Sequence, residues 1–273
     1  MNNRFVSINA EIVSKPNLPV ALTIATSDSG CGAGIQADLL TFSRLQAYGV
    51  TAQAALTAQN PDGVSAVHEL PTEFLQAQLD QLAAYFPIAA LKTGMLFSAP
   101  LIETATRFIE QNEIPAVVDP VMIATSGARL LREDAAQQLR ERLLPAATLI
   151  TPNLDEAAAL LGQRPDSLDA MKDAARELLR KFGSAVLLKG GHLPGDELVD
   201  IFLERDGTCE TITCRRMTGV NTHGSGCTLS AAITAVLARG APLKEAVQQG
   251  HAYLQRSLRH PLHVAGTAFI NHG

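Results

Sequence analysis

Short apolar runs alternate with longer amphipathic stretches along most of this 273-residue chain, and that alternation limits the fold more than any other feature. Residues 20–25 (VALTIA) are apolar on both parities, the pattern of a strand buried on both faces. Residues 33–48 follow with Ile35, Leu39 and Phe42 on one helical face and Asp38 and Arg44 off it. Gly49 is expected to end that helix, and residues 50–58 resume as strand. The pattern then repeats. It predicts helices over 74–86, 100–111 (with Ser98 as cap), 134–143, 156–161 and 168–182, and strands over 88–93, 116–121, 147–151 and 185–189. Asp206-Gly207 between residues 199–204 and 208–214 signals a hairpin, and helices over 227–237 and 243–257 close the chain. Such alternation implies right-handed crossovers and a mostly parallel sheet covered by helices on both faces. With no linker or internal repeat, residues 19–273 are expected to form one domain behind a loosely ordered leader, 1–18.

In such sheets ligands bind beyond the carboxyl ends of the strands, and here every unusual polar cluster follows a predicted strand. The first is 26–34, TSDSGCGAG, where glycines let backbone amides approach a ligand and start a helix with free N–H groups. Its spacing fits neither the dinucleotide fingerprint nor the P-loop, and a tight turn without a ligand would read the same way. The second is 221–228, NTHGSGCT, ahead of an Ala/Leu-rich helix. Its Gly224-Ser225-Gly226 run makes a row of amide donors suited to phosphate charge. Cys227, at the positive end of that helix, is expected to have a lowered pKa, an exposed thiolate and sensitivity to alkylation.

Lys189 ends a buried strand, which is awkward unless it meets an anion; snorkelling to solvent is the plain alternative. Asn153 and Glu156 are three apart at a helix start and can face one spot, suiting Mg²⁺ carried through water. The same spacing also makes a capping box, and the two roles are compatible. Asp119 places a carboxylate where a strand opens, and Met95, Val121 and Met122 could wall a flat ring or simply fill the core.

Composition narrows the partners. A net charge of -5 repels nucleic acid and anionic membranes, so positive potential must be built locally. With 47% hydrophobic and 18% charged residues, the chain can bury a sizeable core. The four cysteines show neither metal-ligand spacing nor a disulfide framework, which reads as reduced thiols in a cytoplasm.

Taken together, ALTIA-SD, GAGIQADL, TAQN, KTGM, VVDPVM, LITPNLDEA, LLKGGH and NTHGSGCTLSAA resemble the hydroxymethylpyrimidine/phosphomethylpyrimidine kinases of thiamine biosynthesis, within the ribokinase-like superfamily. The resemblance runs from about Val20 to Ser257. It implies a ribokinase-like three-layer α/β fold, ATP and Mg²⁺ as cofactors, and phosphorylation of 4-amino-5-hydroxymethyl-2-methylpyrimidine and then of its monophosphate. By the same resemblance Asp38 and Gln59 would hold the ring, with Thr26, Met95 and Val121 against it. Gln59 also makes sense alone, since an amide both donates to and accepts from an aminopyrimidine edge. Cys227 would assist deprotonation of the substrate hydroxyl, and the amides of Gly224 to Cys227 would stabilise the moving phosphoryl group. Lys189, Asn153, Thr222, Ser225 and Gly226 would meet the nucleotide phosphates, and Asp119, Asn153 and Glu156 would organise Mg²⁺. A homodimer is the expected assembly. The chain departs from the family pattern at Thr26, Cys31, Thr125 and Ser225; Cys31 is costly if its position needs φ > 0. The alternatives are a pyridoxal kinase on the same scaffold and a ligand-binding protein that has lost turnover.

Overall fold

The computed structural model describes residues 17–122, 133–191 and 197–273. The departure at Thr125 and the last residue of the LLKGGH motif, His192, fall outside these residues. The chain opens with β1 (Val20–Asp28), α1 (Gly34–Arg44), β2 (Tyr48–Asn60), β3 (Gly63–Glu69), α2 (Thr72–Tyr85), β4 (Ile88–Thr93), α3 (Ala99–Asn112) and β5 (Ala116–Val118). Next α4 (Glu133–Gln138) runs through a π-turn, Leu139–Leu143, into α5 (Leu144–Ala146). There follow β6 (Leu149–Ile150), α6 (Leu154–Leu161), α7 (Leu168–Phe182), β7 (Ala185–Leu188), β8 (Glu197–Leu203) and β9 (Cys209–Arg215). Helices α8 (Ser225–Ala238) and α9 (Leu243–Arg259) precede a small β10 (Leu262–Val264)–β11 (Thr267–Phe269) ribbon.

Nine strands form one sheet in the order β3-β2-β1-β4-β5-β6-β7-β8-β9. The run from β2 to β7 is parallel, while β3, β8 and β9 are antiparallel. Successive strand residues separate onto two faces, as the period of two requires. Leu22, Ile24, Leu91, Val118, Ile150 and Leu188 join the core under α2, α3, α6 and α7. Ala21, Ala90, Val117, Leu149 and Leu187 join the core under α1, α8 and α9. These strands read as continuous apolar runs because both faces are covered, and each buried Leu, Ile or Phe contributes about 1.5–3 kcal/mol. The three-layer α/β expectation is met.

Several local expectations are corrected. Helix α1 ends at Arg44, and Gln46, not Gly49, takes the left-handed turn with φ 61°. Gly49 instead lies within β2, where a Cβ would meet Leu39 at 2.6 Å. Ser98 occupies the cap position of α3, but its buried hydroxyl makes no capping bond. The β2–β3 hairpin was not anticipated, although Asp62-Gly63 is the same dipeptide signal used for β8–β9. The C-terminal ribbon had no readable motif.

Candidate active site

On the face beneath α8, Lys92, Asp119 and Lys189 continue the parity of Ala90, Val117 and Leu187, so the end of β4 and the segments just past β5 and β7 carry charge on one face. Lys189 Nζ donates to Asp119 Oδ1 at 3.0 Å, and the same oxygen accepts from Thr151 Oγ1 at 3.0 Å. Burial opposes the lysine charge, yet Asp119 and Glu156 outweigh it and hold Lys189 above its ordinary range. Lys189 is therefore a fixed cation.

Above it sits the start of α8. Gly224 has φ 82°, and a Cβ there would lie 1.8 Å from the Gly32 carbonyl oxygen, so only glycine fits where the two glycine-rich loops touch. A Cβ on Gly226 would come to 3.2 Å from Lys189 Nζ and 3.5 Å from Asp119 Oδ2. The missing side chain leaves room where the first amides of the helix face the buried cation. Thr222 is exposed and its carbonyl accepts from Ser225 N at 3.0 Å.

Asn153 and Glu156 form a complete capping box. Asn153 Oδ1 accepts from the amides of Asp155 at 2.9 Å and Glu156 at 2.8 Å, and Glu156 Oε2 accepts from Asn153 N at 2.7 Å. Burial pushes the Glu156 carboxyl up to about 7, against the pull of Lys189. Among the described residues no group of three or more His, Cys, Asp or Glu side chains could cage an ion. Of the three residues expected around a metal, Asn153 has its amide oxygen occupied by the helix. The carboxylates of Asp119 and Glu156 near Lys189 fit a hydrated Mg²⁺ held mainly by nucleotide phosphates rather than a cage of protein ligands.

Cys227 departs most from expectation. Burial pushes its thiol up to about 11; Lys92 and the Gly34 amide pull the other way, while Asp38 and Asp119 add to the rise. The helix-terminus effect, about 0.3–1 kcal/mol, is under one pKa unit and does not reverse this. Cys227 is a half-buried thiol, not the exposed thiolate the sequence suggested. The starts of α1 and α8 converge on its sulfur.

Asp38 is completely buried. Its Oδ2 accepts from Lys92 Nζ at 2.9 Å and Thr23 Oγ1 at 2.7 Å, while Oδ1 has no partner. The Asp38 carboxylate keeps Lys92 charged although burial alone would neutralise it. Asp38 thus has one oxygen committed to Lys92 and Thr23 and the other, equally buried, without a partner. Sequence reading gave Lys92 no role, although a lysine at the end of a buried strand was the argument already applied to Lys189.

On the far side of the loops, Gln59 contacts Thr57 Oγ1 at 3.2 Å and His223 Nε2 at 3.0 Å, and His223 Nε2 lies 3.4 Å from Asp28 Oδ2. Burial raises the Asp28 carboxyl, but His223 and the amides of Gly30 and Ala33 outweigh it and hold it below the ordinary range. An open groove of roughly 440 Å³, lined by Ser29, Gln59, Asn60 and Asp62 among others, adjoins Gln59. Thr26 is turned away, with Oγ1 donating to Met95 O at 3.0 Å. Val121 is half-buried, Met95 is buried, and Met122 is core filler. Cys31 has φ 60°, the left-handed conformation that a side chain resists.

Residues 28–270 match the family model described as phosphomethylpyrimidine kinase. A hydroxymethylpyrimidine/phosphomethylpyrimidine kinase of Rhizobium meliloti is 47% identical over 240 residues, covering 88% of this chain and 90% of its own. Among solved structures, a phosphomethylpyrimidine kinase from Clostridium difficile 630 superposes with a TM-score of 0.78 at 38% identity, covering 88% and 99%. An ADP complex of Bacillus subtilis pyridoxal kinase superposes with a TM-score of 0.86 at 36% identity, covering 94% and 98%.

Proposed function

The chain belongs to the phosphomethylpyrimidine kinase family and is a kinase, and we propose that it transfers a phosphoryl group from ATP to 4-amino-5-hydroxymethyl-2-methylpyrimidine and then to the resulting monophosphate, giving the diphosphate for thiamine biosynthesis. The observation that carries this reading is the pairing of half-buried Lys189 with buried Asp119 beneath a helix start whose Gly226 leaves room for phosphate oxygens. Phosphoryl transfer is mostly positioning and charge stabilisation. Lys189 and the amides of Ser225, Gly226 and Cys227 take up charge on the transferring group. Gly224 brings that helix start against the substrate loop. Asp119 and Glu156 hold water around Mg²⁺, which when bound draws charge off the nucleotide phosphates.

Gln59 and the free oxygen of Asp38 bind the ring edge, with Met95, Val121 and the backbone near Thr26 beside it. Cys227 sits at the acceptor hydroxyl. Because a protonated thiol cannot take a second proton, it acts as a base only in its ionised fraction, and turnover then climbs as pH rises towards 11. Residues 19–273 act as one catalytic domain.

Two coarser features fit this reading. The four cysteines are unpaired, which suits a reducing cytoplasm; among the described residues no helix is long and apolar enough to cross a membrane. Exposed Tyr48 stacks on Phe86 and exposed Tyr85 meets it edge-on, an apolar patch suited to pairing two copies. Sedimentation of wild type and Tyr85→Glu tests that pairing: a dimer in the first and a monomer in the second is the expected result.

Likeness to a pyridoxal kinase gives a second reading, pyridoxal as acceptor, a real alternative because that ring also carries a hydroxymethyl arm. Coupled ADP release with Mg-ATP, offering hydroxymethylpyrimidine, its monophosphate and pyridoxal in parallel, decides between them. Turnover of both pyrimidines and little pyridoxal is expected; the reverse preference would reject the pyrimidine assignment, and binding without turnover by any of the three would reject catalysis.

A further inference from the structure

His223 lies beside the phosphate-facing loop, yet its ring points the other way, to the residues around Gln59. A count of protons shows what it does there. Asp28 is an anion whose Oδ1 accepts from Gly30 N and whose Oδ2 accepts from Ala33 N, both at 2.8 Å. His223 Nε2 stands 3.4 Å from that second oxygen. A bare lone pair facing a carboxylate at that separation is repelled, so Nε2 carries the proton. The same nitrogen is 3.0 Å from Gln59 Nε2, with Gln59 Oε1 towards Thr57, so a proton on the ring calls for the amide turned over by half a turn. A protonated Nε2 requires the amide oxygen on that side.

Thr57 gives the same answer independently. Its hydroxyl has one proton, directed to Ser27 O at 2.8 Å. Its other contact, 3.2 Å to Gln59 Oε1, is then left without a proton, so on that side the hydroxyl can only accept, and the turned amide offers it the NH₂. Oxygen to His223 and nitrogen to Thr57 is the single arrangement satisfying both neighbours. The opposite one sets nitrogen against a donor and oxygen against a hydroxyl without a free proton. The backbone of Gln59 is also fixed, because Ser29 Oγ donates to its carbonyl and accepts from its amide, both at 2.8 Å. What remains for a ligand is one amide hydrogen and one oxygen lone pair, in an order the protein has set. A half-turn of the amide would reverse that order.

We infer that His223, with Thr57 opposite it, is a specificity-determining positioning residue: it locks the Gln59 amide in one sense and so sets which heteroaromatic edge the site accepts. This rests on the proposed role of Gln59 as the ring-binding amide. An edge offering an amine donor beside a ring-nitrogen acceptor pairs with one sense, and an edge offering the reverse order pairs with the other. Phosphoryl transfer itself is left to Lys189 and the start of α8.

The test is the ratio of kcat/KM for hydroxymethylpyrimidine to that for pyridoxal in wild type, His223→Leu, His223→Gln and Thr57→Val. His223→Leu removes the donor, and His223→Gln returns an N–H close to the position of Nε2. His223→Leu should pull the ratio towards one by about five- to tenfold, through KM more than kcat. His223→Gln should restore most of it, and Thr57→Val should move it the same way as His223→Leu. A folded His223→Leu protein whose two substrates weaken equally overturns the inference. If His223→Leu does not fold, an unchanged ratio in Thr57→Val overturns it instead. Failure of the substrate assignment looks different. A wild type that prefers pyridoxal rejects the pyrimidine, yet its ratio should still collapse towards one in His223→Leu. For a wild type without turnover, the ratio of the two dissociation constants replaces kcat/KM, with the same expected collapse.

Discussion

The two ends of the candidate site are built from different materials. At the phosphate end, Lys92, Asp119 and Lys189 lie where strands β4, β5 and β7 run out, and their partners are buried charges at about hydrogen-bond distance. At the ring end, Gln59 and Asp28 lie at the ends of β2 and β1 while His223 comes from the second glycine-rich loop, and half-buried Gln59 and His223 meet over the buried Asp28 carboxylate. Residues at strand ends inherit the rigidity of the sheet, whereas the ring end also depends on His223, which is held by a loop. A scaffold made this way holds its chemistry constant while its recognition drifts. That matches the close superposition on a kinase named for pyridoxal alongside one named for phosphomethylpyrimidine.

Substitutions can break that contrast, and those at the phosphate end should act hardest. Lys189→Met should lower kcat by about 10²–10³ and leave the pyrimidine KM nearly unchanged, measured by steady-state ADP release. A comparable loss in KM alone would place Lys189 at the ring instead. Lys92→Met strands the buried Asp38 carboxylate and should cost about 3–5 kcal/mol of stability, read by urea denaturation. The double variant Lys92→Met/Asp38→Leu should recover much of that loss, because an apolar pair of similar volume asks nothing of the interior.

Cys227 sharpens the comparison through pH. If its ionised form is the base, kcat rises with pH between 7 and 9, and in Cys227→Ser the rise is absent. A flat wild-type profile would remove it as the proton acceptor.

Glu156 gives a smaller, thermodynamic signal. Its folded value near 7 is above its ordinary 4.5, so the folded protein holds a proton that the unfolded chain has released. The stability from this group is complete below pH 4.5 and is lost as pH rises through 7. In Glu156→Gln that loss should disappear, which melting curves between pH 4.5 and 7.5 can check.

At the ring end the smallest effect is expected from Cys31. Cys31→Gly relieves a left-handed side chain and should raise stability by no more than about 1 kcal/mol, a few degrees in Tm. A fall in Tm would mean the thiol makes a contact that outweighs the strain.

The difference between the two ends also explains what could be read in advance. The strands announced themselves because both faces of β1, β4 and β7 are covered, which leaves unbroken apolar runs. Lys189 stands out against such a run, and Lys92 at the end of β4 carries the same signal. The capping box of Asn153 and Glu156 was legible because it is local. The state of Cys227 was not: helix position alone argues for a low pKa, while the burial that raises it, and the Asp38 and Asp119 carboxylates that add to the rise, come from segments far away in sequence. Nor was the partnership of Gln59 with His223, 164 positions apart. Local chemistry travels with the sequence; contacts between the ends of the chain do not.

The touching of Gly32 and Gly224 carries a consequence for biogenesis. One loop is made early in synthesis and the other late, so a ribosome that has finished β7 has emitted most of the sheet and none of the second glycine-rich loop. The face under α8, with Ala90, Val117 and Leu187, lacks that cover until the helix emerges. A nascent chain stalled before residue 225 should therefore be cut readily by protease, while one stalled after residue 273 has left the exit tunnel should resist. Catalytic competence and protection of the second core then arrive in the same interval of translation, and a chaperone guarding the one necessarily guards the other.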